Sequence, residues 1–156
     1  MIILGIDPGT ATTGYGVIQK LPGNKFSLIA FGVISTPKGD SDAARLQTLA
    51  DDLAQLVKKY KPDVAGVEKL FLHTNQKTVM TVAQARGVVL LELTRHGIPI
   101  KEFTPLQVKS TICGNGTADK KQIQFMVKQT FKLKSVPKPD DAADAVAIAL
   151  CAAYIH

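Results

Sequence analysis

The chain has 156 residues, of which 46% are apolar and 21% charged, and a formal net charge of +6. That length supports one core of ordinary single-domain size, and residues 1–156 are read as one domain. The apolar runs fall far short of the ~20 residues a membrane-crossing helix needs. The Met1–Asp7 stretch has no basic leader, and Cys113 and Cys151 have neither disulfide-framework nor metal-ligand spacing, so the expectation is a cytoplasmic protein with no membrane part.

Residues 2–6 are apolar and stop at Asp7-Pro8-Gly9, which reads as a buried strand ending in a turn. Gly14–Lys20 is a second strand, closed by a Leu-Pro-Gly-Asn turn, and Phe26–Thr36 a third, so the chain opens as an antiparallel meander. Asp42 begins a helix to about Tyr60 with Leu46, Leu49, Leu53, Leu56 and Val57 on one stripe. Asp63–Val67 is a short strand ending at Glu68, and residues 76–96 form a helix stopped at Gly97 and Pro99. A fifth strand covers Ile98–Phe103. Helical segments follow at Pro105–Cys113 and Lys120–Leu133, with Thr117 as N-cap and Asp119 in the first turn of the second. A last helix follows Pro139, with Asp140 as its N-cap. This order predicts an α/β fold: a mixed five-stranded sheet, three strands antiparallel and two parallel, flanked by helices.

Four acids interrupt apolar runs: Asp7, Glu68, Asp141 and Asp144. An ionised carboxylate in such surroundings is costly unless it is paired or bound to a metal. Asp7 projects from the carboxyl edge of the sheet, where open α/β sheets hold ligands, although Asp-Pro-Gly is equally good turn chemistry. Glu68 ends a strand that would neighbour the first, or it simply leaves the sheet paired with Lys69. Asp141 and Asp144 are three residues apart on one helix face, among alanines small enough for that helix to pack closely on the sheet. Asp141 also suits a first-turn acid favoured by the helix dipole. Four carboxylates roughly balance two dications, and hard Mg²⁺ or Mn²⁺ prefers oxygen ligands. Two such ions about 3.5–4 Å apart are what phosphodiester hydrolysis needs, because charge develops on both attacking and leaving oxygens. His73, His96 and His156 are scattered and offer no competing cluster.

The charge distribution agrees. Between Lys101 and Lys138 there are eight lysines against two acids, Glu102 and Asp119. Such a stretch is either a solvated helix face or a phosphate-binding surface.

With these residues placed, the chain resembles the RuvC family of bacterial Holliday junction resolvases, in the RNase H-like (retroviral integrase) superfamily, essentially end to end. Ile3-Leu4-Gly5-Ile6-Asp7-Pro8-Gly9-Thr10 with Gly14-Tyr15-Gly16-Val17 resembles the first family motif, and Val67-Glu68-Lys69-Leu70-Phe71 the second. Gln84-Ala85-Arg86-Gly87, Gln107-Val108-Lys109 and Asp141-Ala142-Ala143-Asp144-Ala145-Val146-Ala147 match the later ones. The resemblance implies a homodimer with two active sites, each binding two Mg²⁺ (or Mn²⁺) ions through Asp7, Glu68, Asp141 and Asp144. It implies paired symmetric nicks across four-way junction DNA, in recombination and repair, in partnership with the RuvA/RuvB branch-migration machinery of the bacterial cytoplasm. Lys109 and Lys120 match positions near the scissile phosphate, and Arg86 and Lys121 are expected DNA contacts. Phe71 matches an aromatic that stacks on or wedges between bases, its other reading being an ordinary core phenylalanine.

Three alternatives are separable. A related RNase H-like nuclease would prefer RNA to junction DNA. A non-catalytic junction-binding module would usually have lost an acid. An actin-like or sugar-kinase ATPase, suggested by the Gly5-Ile6-Asp7-Pro8-Gly9-Thr10 loop, would need a second lobe for which the chain has no room.

Overall fold

The computed structural model describes residues 1–9, 11–69 and 76–156. Ten elements run in the order β1 (Ile2–Asp7), β2 (Thr12–Leu21), β3 (Lys25–Ser35), α1 (Asp42–Tyr60), β4 (Val64–Glu68), α2 (Gln76–Arg95), β5 (Ile100–Phe103), α3 (Pro105–Cys113), α4 (Lys120–Thr130) and α5 (Asp140–Tyr154). The strands form one mixed sheet in the order β3-β2-β1-β4-β5. β1 pairs antiparallel with β2 and parallel with β4, and β4 pairs parallel with β5. The mixed sheet expected from the element order is therefore present, with the first and fourth strands adjacent.

Successive strand residues face opposite sides of a sheet, and β1 and β4 are apolar on both. Leu4, Ile6, Ala65 and Val67 pack toward Leu49, Leu53 and Val57 of α1 and Ala85, Val89 and Leu93 of α2. Ile3 and Val64 point the other way, with Phe103, into a core completed by α3, α4 and α5. The α1 stripe is centred on Leu49, Leu53 and Val57, with Leu46 and Leu56 half-buried beside it. Ser41 caps α1, its hydroxyl accepting from the Ala44 N–H at 3.2 Å.

α5 is buried almost all round, and its closeness to the sheet depends on missing side chains. A Cβ on Gly5 of β1 would lie 2.0 Å from the Ala145 carbonyl oxygen, and one on Gly14 of β2 would lie 2.0 Å from that of Asp141. Backbone meets backbone here, which only glycine permits. The alanines of α5 complete the contact from the helix side.

Three local expectations are corrected. Asp119, not Thr117, caps α4: its carboxylate accepts from the Gln122 N–H while Gln122 Oε1 accepts from the Asp119 N–H, each at 2.8 Å. That reciprocal box outcompetes Thr117, whose N–H and hydroxyl both donate to Asn115 Oδ1. Pro139 occupies the N-cap position of α5, so Asp140 and Asp141 both lie in its first turn. α4 ends at Thr130, because the chain turns through a positive φ of 52° at Lys132.

Candidate active site

The acids reach one point by register. Ile6 pairs with Val67, so Asp7 and Glu68 end adjacent parallel strands. Both lie two residues beyond a glycine that faces α5, Gly5 and Gly66, and period-two alternation turns both carboxylates to the α5 side. Asp141 and Asp144 descend onto them from α5. Oxygen atoms of Asp7, Asp141 and Asp144 all lie within 4.8 Å of one another. Glu68 is not among those three converging groups; it accepts a hydrogen bond from the Asp7 carboxyl instead.

Electrostatics follow from that crowding. Two carboxylates about 4 Å apart repel by ~4 kcal/mol at an effective dielectric near 20, a large share of the net stability of any domain. Burial and then the neighbouring Glu68 and Asp144 push the Asp7 carboxyl up to about 9. Glu68 is raised, chiefly by burial, against lowering from the bond Asp7 donates to it and from Lys120 and Lys109. Asp144 is raised mainly by burial, offset by Lys120. The Lys120 ammonium stands 3.4 Å from Asp144 and 3.3 Å from Asp140. Burial lowers its pKa, but these acids outweigh that and hold it above the ordinary lysine value. An all-oxygen donor set, crowded enough to retain a proton, fits hard divalent cations.

A cleft of about 200 Å³ opens beside the acids, lined by Glu68, Asp144, Lys109 and Lys120, with Val108, Ile123 and Ile148 among its apolar walls. Lys109 and Lys120 therefore line the cleft beside the acids. Lys121 is exposed on the outer side of α4. Arg86, expected to contact DNA, is turned inward. Its guanidinium pairs with Glu102 of β5, and its Nε donates to the Glu68 carbonyl at 3.4 Å, so it ties the ends of β4 and β5 to α2. Phe71 lies outside the described residues.

Sequence reasoning missed one residue at the site. Thr12 Oγ1 donates to Asp141 Oδ2 at 2.6 Å across 129 residues of chain, fixing that carboxylate as outer ligands commonly do around metals. No local pattern marks Thr12. The glycines were legible in principle: Gly5, Gly14, Gly16 and Gly66 interrupt strand patterns, a signal of close backbone approach.

Comparisons with known proteins agree on one family. The family model described as crossover junction endodeoxyribonuclease RuvC matches residues 3–152. The crossover junction endodeoxyribonuclease RuvC of Heliobacterium modesticaldum is 48% identical over 154 residues, covering 99% of this chain and 94% of that one. The RuvC structure from Thermus thermophilus superposes with a TM-score of 0.90 at 30% identity, covering 99% of this chain and 94% of that chain. The same organism's RuvC in complex with Holliday junction substrate superposes at 0.89 and 28% identity, with the same coverage.

Proposed function

This chain belongs to the RuvC family of crossover junction endodeoxyribonucleases, and from that premise we infer how its residues resolve a four-way junction. The observation that carries the reading is the convergence of Asp7, Asp141 and Asp144 oxygens within 4.8 Å at the sheet edge, with Glu68 bonded to Asp7. Residues 1–156 act as one RNase H-like nuclease domain, a metal-dependent endonuclease that resolves Holliday junctions.

Asp7, Glu68, Asp141 and Asp144 would hold two divalent ions, Mg²⁺ in the cell with Mn²⁺ as a substitute. Bound there, the ions would stabilise the charge that develops on the attacking and leaving oxygens and make a bound water acidic. The protein's own groups do the rest. Asp7 would release its proton to solvent on cation binding, and Thr12 keeps the Asp141 carboxylate oriented. Lys109 and Lys120 attract the scissile phosphate into the cleft and offset its charge. Lys121 adds a backbone contact outside it, and Phe71 meets the bases at the junction centre. Lysine suits this task because it binds phosphate as a point charge without reading bases bidentately.

A four-way junction has near two-fold symmetry, which favours a symmetric dimer cutting both strands. The outer face of α2 supports this: Met80 and Leu91 are 69% and 49% exposed. Gly87, between them at helical spacing, would let a partner helix come near. The active form is thus a homodimer, working in the bacterial cytoplasm with the RuvA/RuvB machinery. Among the described residues, no helix is long and apolar enough to cross a membrane.

The direct test is a synthetic four-way junction incubated with and without Mg²⁺, with both nicks mapped. Symmetric paired nicks only with Mg²⁺ are expected. Asp7→Asn should keep junction binding and lose incision by at least about 10³-fold. Near-parental cutting by that variant in Mg²⁺ would refute the assignment.

A further inference from the structure

The rotation of α4 carries an inference beyond the cleft. The helix begins beside the acids, where Lys120 touches Asp140 and Asp144, and one turn later Gln124 Nε2 donates to Asp140 Oδ1 at 3.3 Å. Ile123 and Val127 form its buried side. At about 100° per residue, the sector next to Lys120 and Gln124, turned away from the core, carries Lys121, Phe125 and Lys128. Exposed Lys132 follows just past the helix end. Phe125 is 56% exposed. A lone exposed phenylalanine is ordinary on a protein surface. This one has a lysine one turn before it and another one turn after, on a helix that starts at the acidic cluster. Residues 120–139 hold six lysines and no acid; of the acids at either border, Asp119 caps the helix and Asp140 is paired with Lys120, so the net charge along this sector is positive. From Lys121 to Lys128 the helix rises about 10 Å, close to three base steps of duplex at ~3.4 Å each.

We propose that this outward face of α4 is a second DNA contact, holding the backbone of the duplex arm that leads away from the scissile phosphate. Lys128 and Lys132 sit on phosphates beyond the one held by Lys121, and the Phe125 ring packs on the deoxyribose edge between Lys121 and Lys128. The contact strengthens binding to any sequence, since no group on this face reads base edges bidentately. It extends the nuclease reading and rests on it.

The experiment measures the dissociation constant of the full chain for a synthetic junction, without divalent metal, across a range of salt. The proteins are the parent, Phe125→Ala, and a double variant carrying Lys128→Gln and Lys132→Gln. The double variant should bind about tenfold more weakly near 0.1 M salt, and its log-log salt slope should fall by about 2. Phe125→Ala should bind about fivefold more weakly with the parental slope, because it removes an apolar contact rather than a charge. On a junction whose arms stop a few base pairs past the cut, all three proteins should bind alike. Parental affinity and slope for the variants would overturn the proposal and leave the face to solvent or to an acidic protein partner. Equal losses on short and long arms would also overturn it. These failures differ from failure of the nuclease reading, in which the parent itself would neither bind nor nick the junction.

Discussion

The two faces of the sheet are packed by different rules. On the α1 and α2 face, Leu4, Ile6, Val17 and Val67 interlock with Leu49, Leu53, Val89 and Leu93, and branched side chains set the spacing between layers. On the α5 face, directly above the acids, the spacers are gone: Gly5 and Gly14 leave room for the α5 backbone itself. Side-chain packing tolerates exchange when volume is kept, because rotamers adjust. Backbone contact has no such freedom. The chain uses the unforgiving arrangement where the carboxylates of Asp141 and Asp144 must meet Asp7, and functional geometry of this kind needs placement within about 0.5 Å.

Gly5→Ala breaks the comparison hardest. Its new Cβ would meet the Ala145 carbonyl at 2.0 Å, so α5 must lift, and a stability loss above about 3 kcal/mol by urea unfolding is expected. The remaining folded protein should also have lost incision. Leu53→Ala, fully buried on the opposite face, should cost about 2–4 kcal/mol while the folded fraction still nicks junctions. Equal damage to incision from both would show that the faces are not distinct.

A smaller effect follows from the crowded acids. Asp7 is held up near 9 against an ordinary 3.8, so between those values the folded chain binds more protons than the unfolded one. Its stabilising contribution is fully present below about pH 3.8 and is lost as pH rises toward 9. Metal-free protein should therefore lose about 1–3 kcal/mol from pH 6 to pH 8, at ~1.4 kcal/mol per unit for one proton. Saturating Mn²⁺ should flatten that dependence; thermal melts at the two pH values, with and without the ion, measure it. Smallest is Thr12→Val, which removes the donor to Asp141. About 1 kcal/mol of stability should go, together with a roughly tenfold rise in the Mn²⁺ concentration needed for half-maximal incision.

Within the site, the surroundings of two cations were given only by the fold. Arg86 lies in a family-like motif and Lys120 at a family-like position, and from the chain alone both read as DNA contacts. Lys120 faces the cleft and the acids. Arg86 engages Glu102 and the Glu68 carbonyl, which fastens α2 to the ends of β4 and β5. Nothing within a few residues of either could have given these surroundings.

What the amino-acid order determined by itself is what adjacent residues encode. Period-two apolar runs, an amphipathic α1, turn residues at the strand ends and acids interrupting apolar segments all rest on contacts within one or two turns of chain. They yielded the mixed sheet and the element order, and they marked four carboxylates as candidates. The tertiary structure alone decided which three carboxylates converge, that Glu68 stands beside Asp7, and that Thr12 steadies Asp141. It also decided how α4 is rotated between the acids and solvent. Those facts depend on strand register, on the gap between α5 and the sheet and on how α4 meets α5, set by residues from separate elements, as far apart as Thr12 and Asp141, where local propensity has no reach.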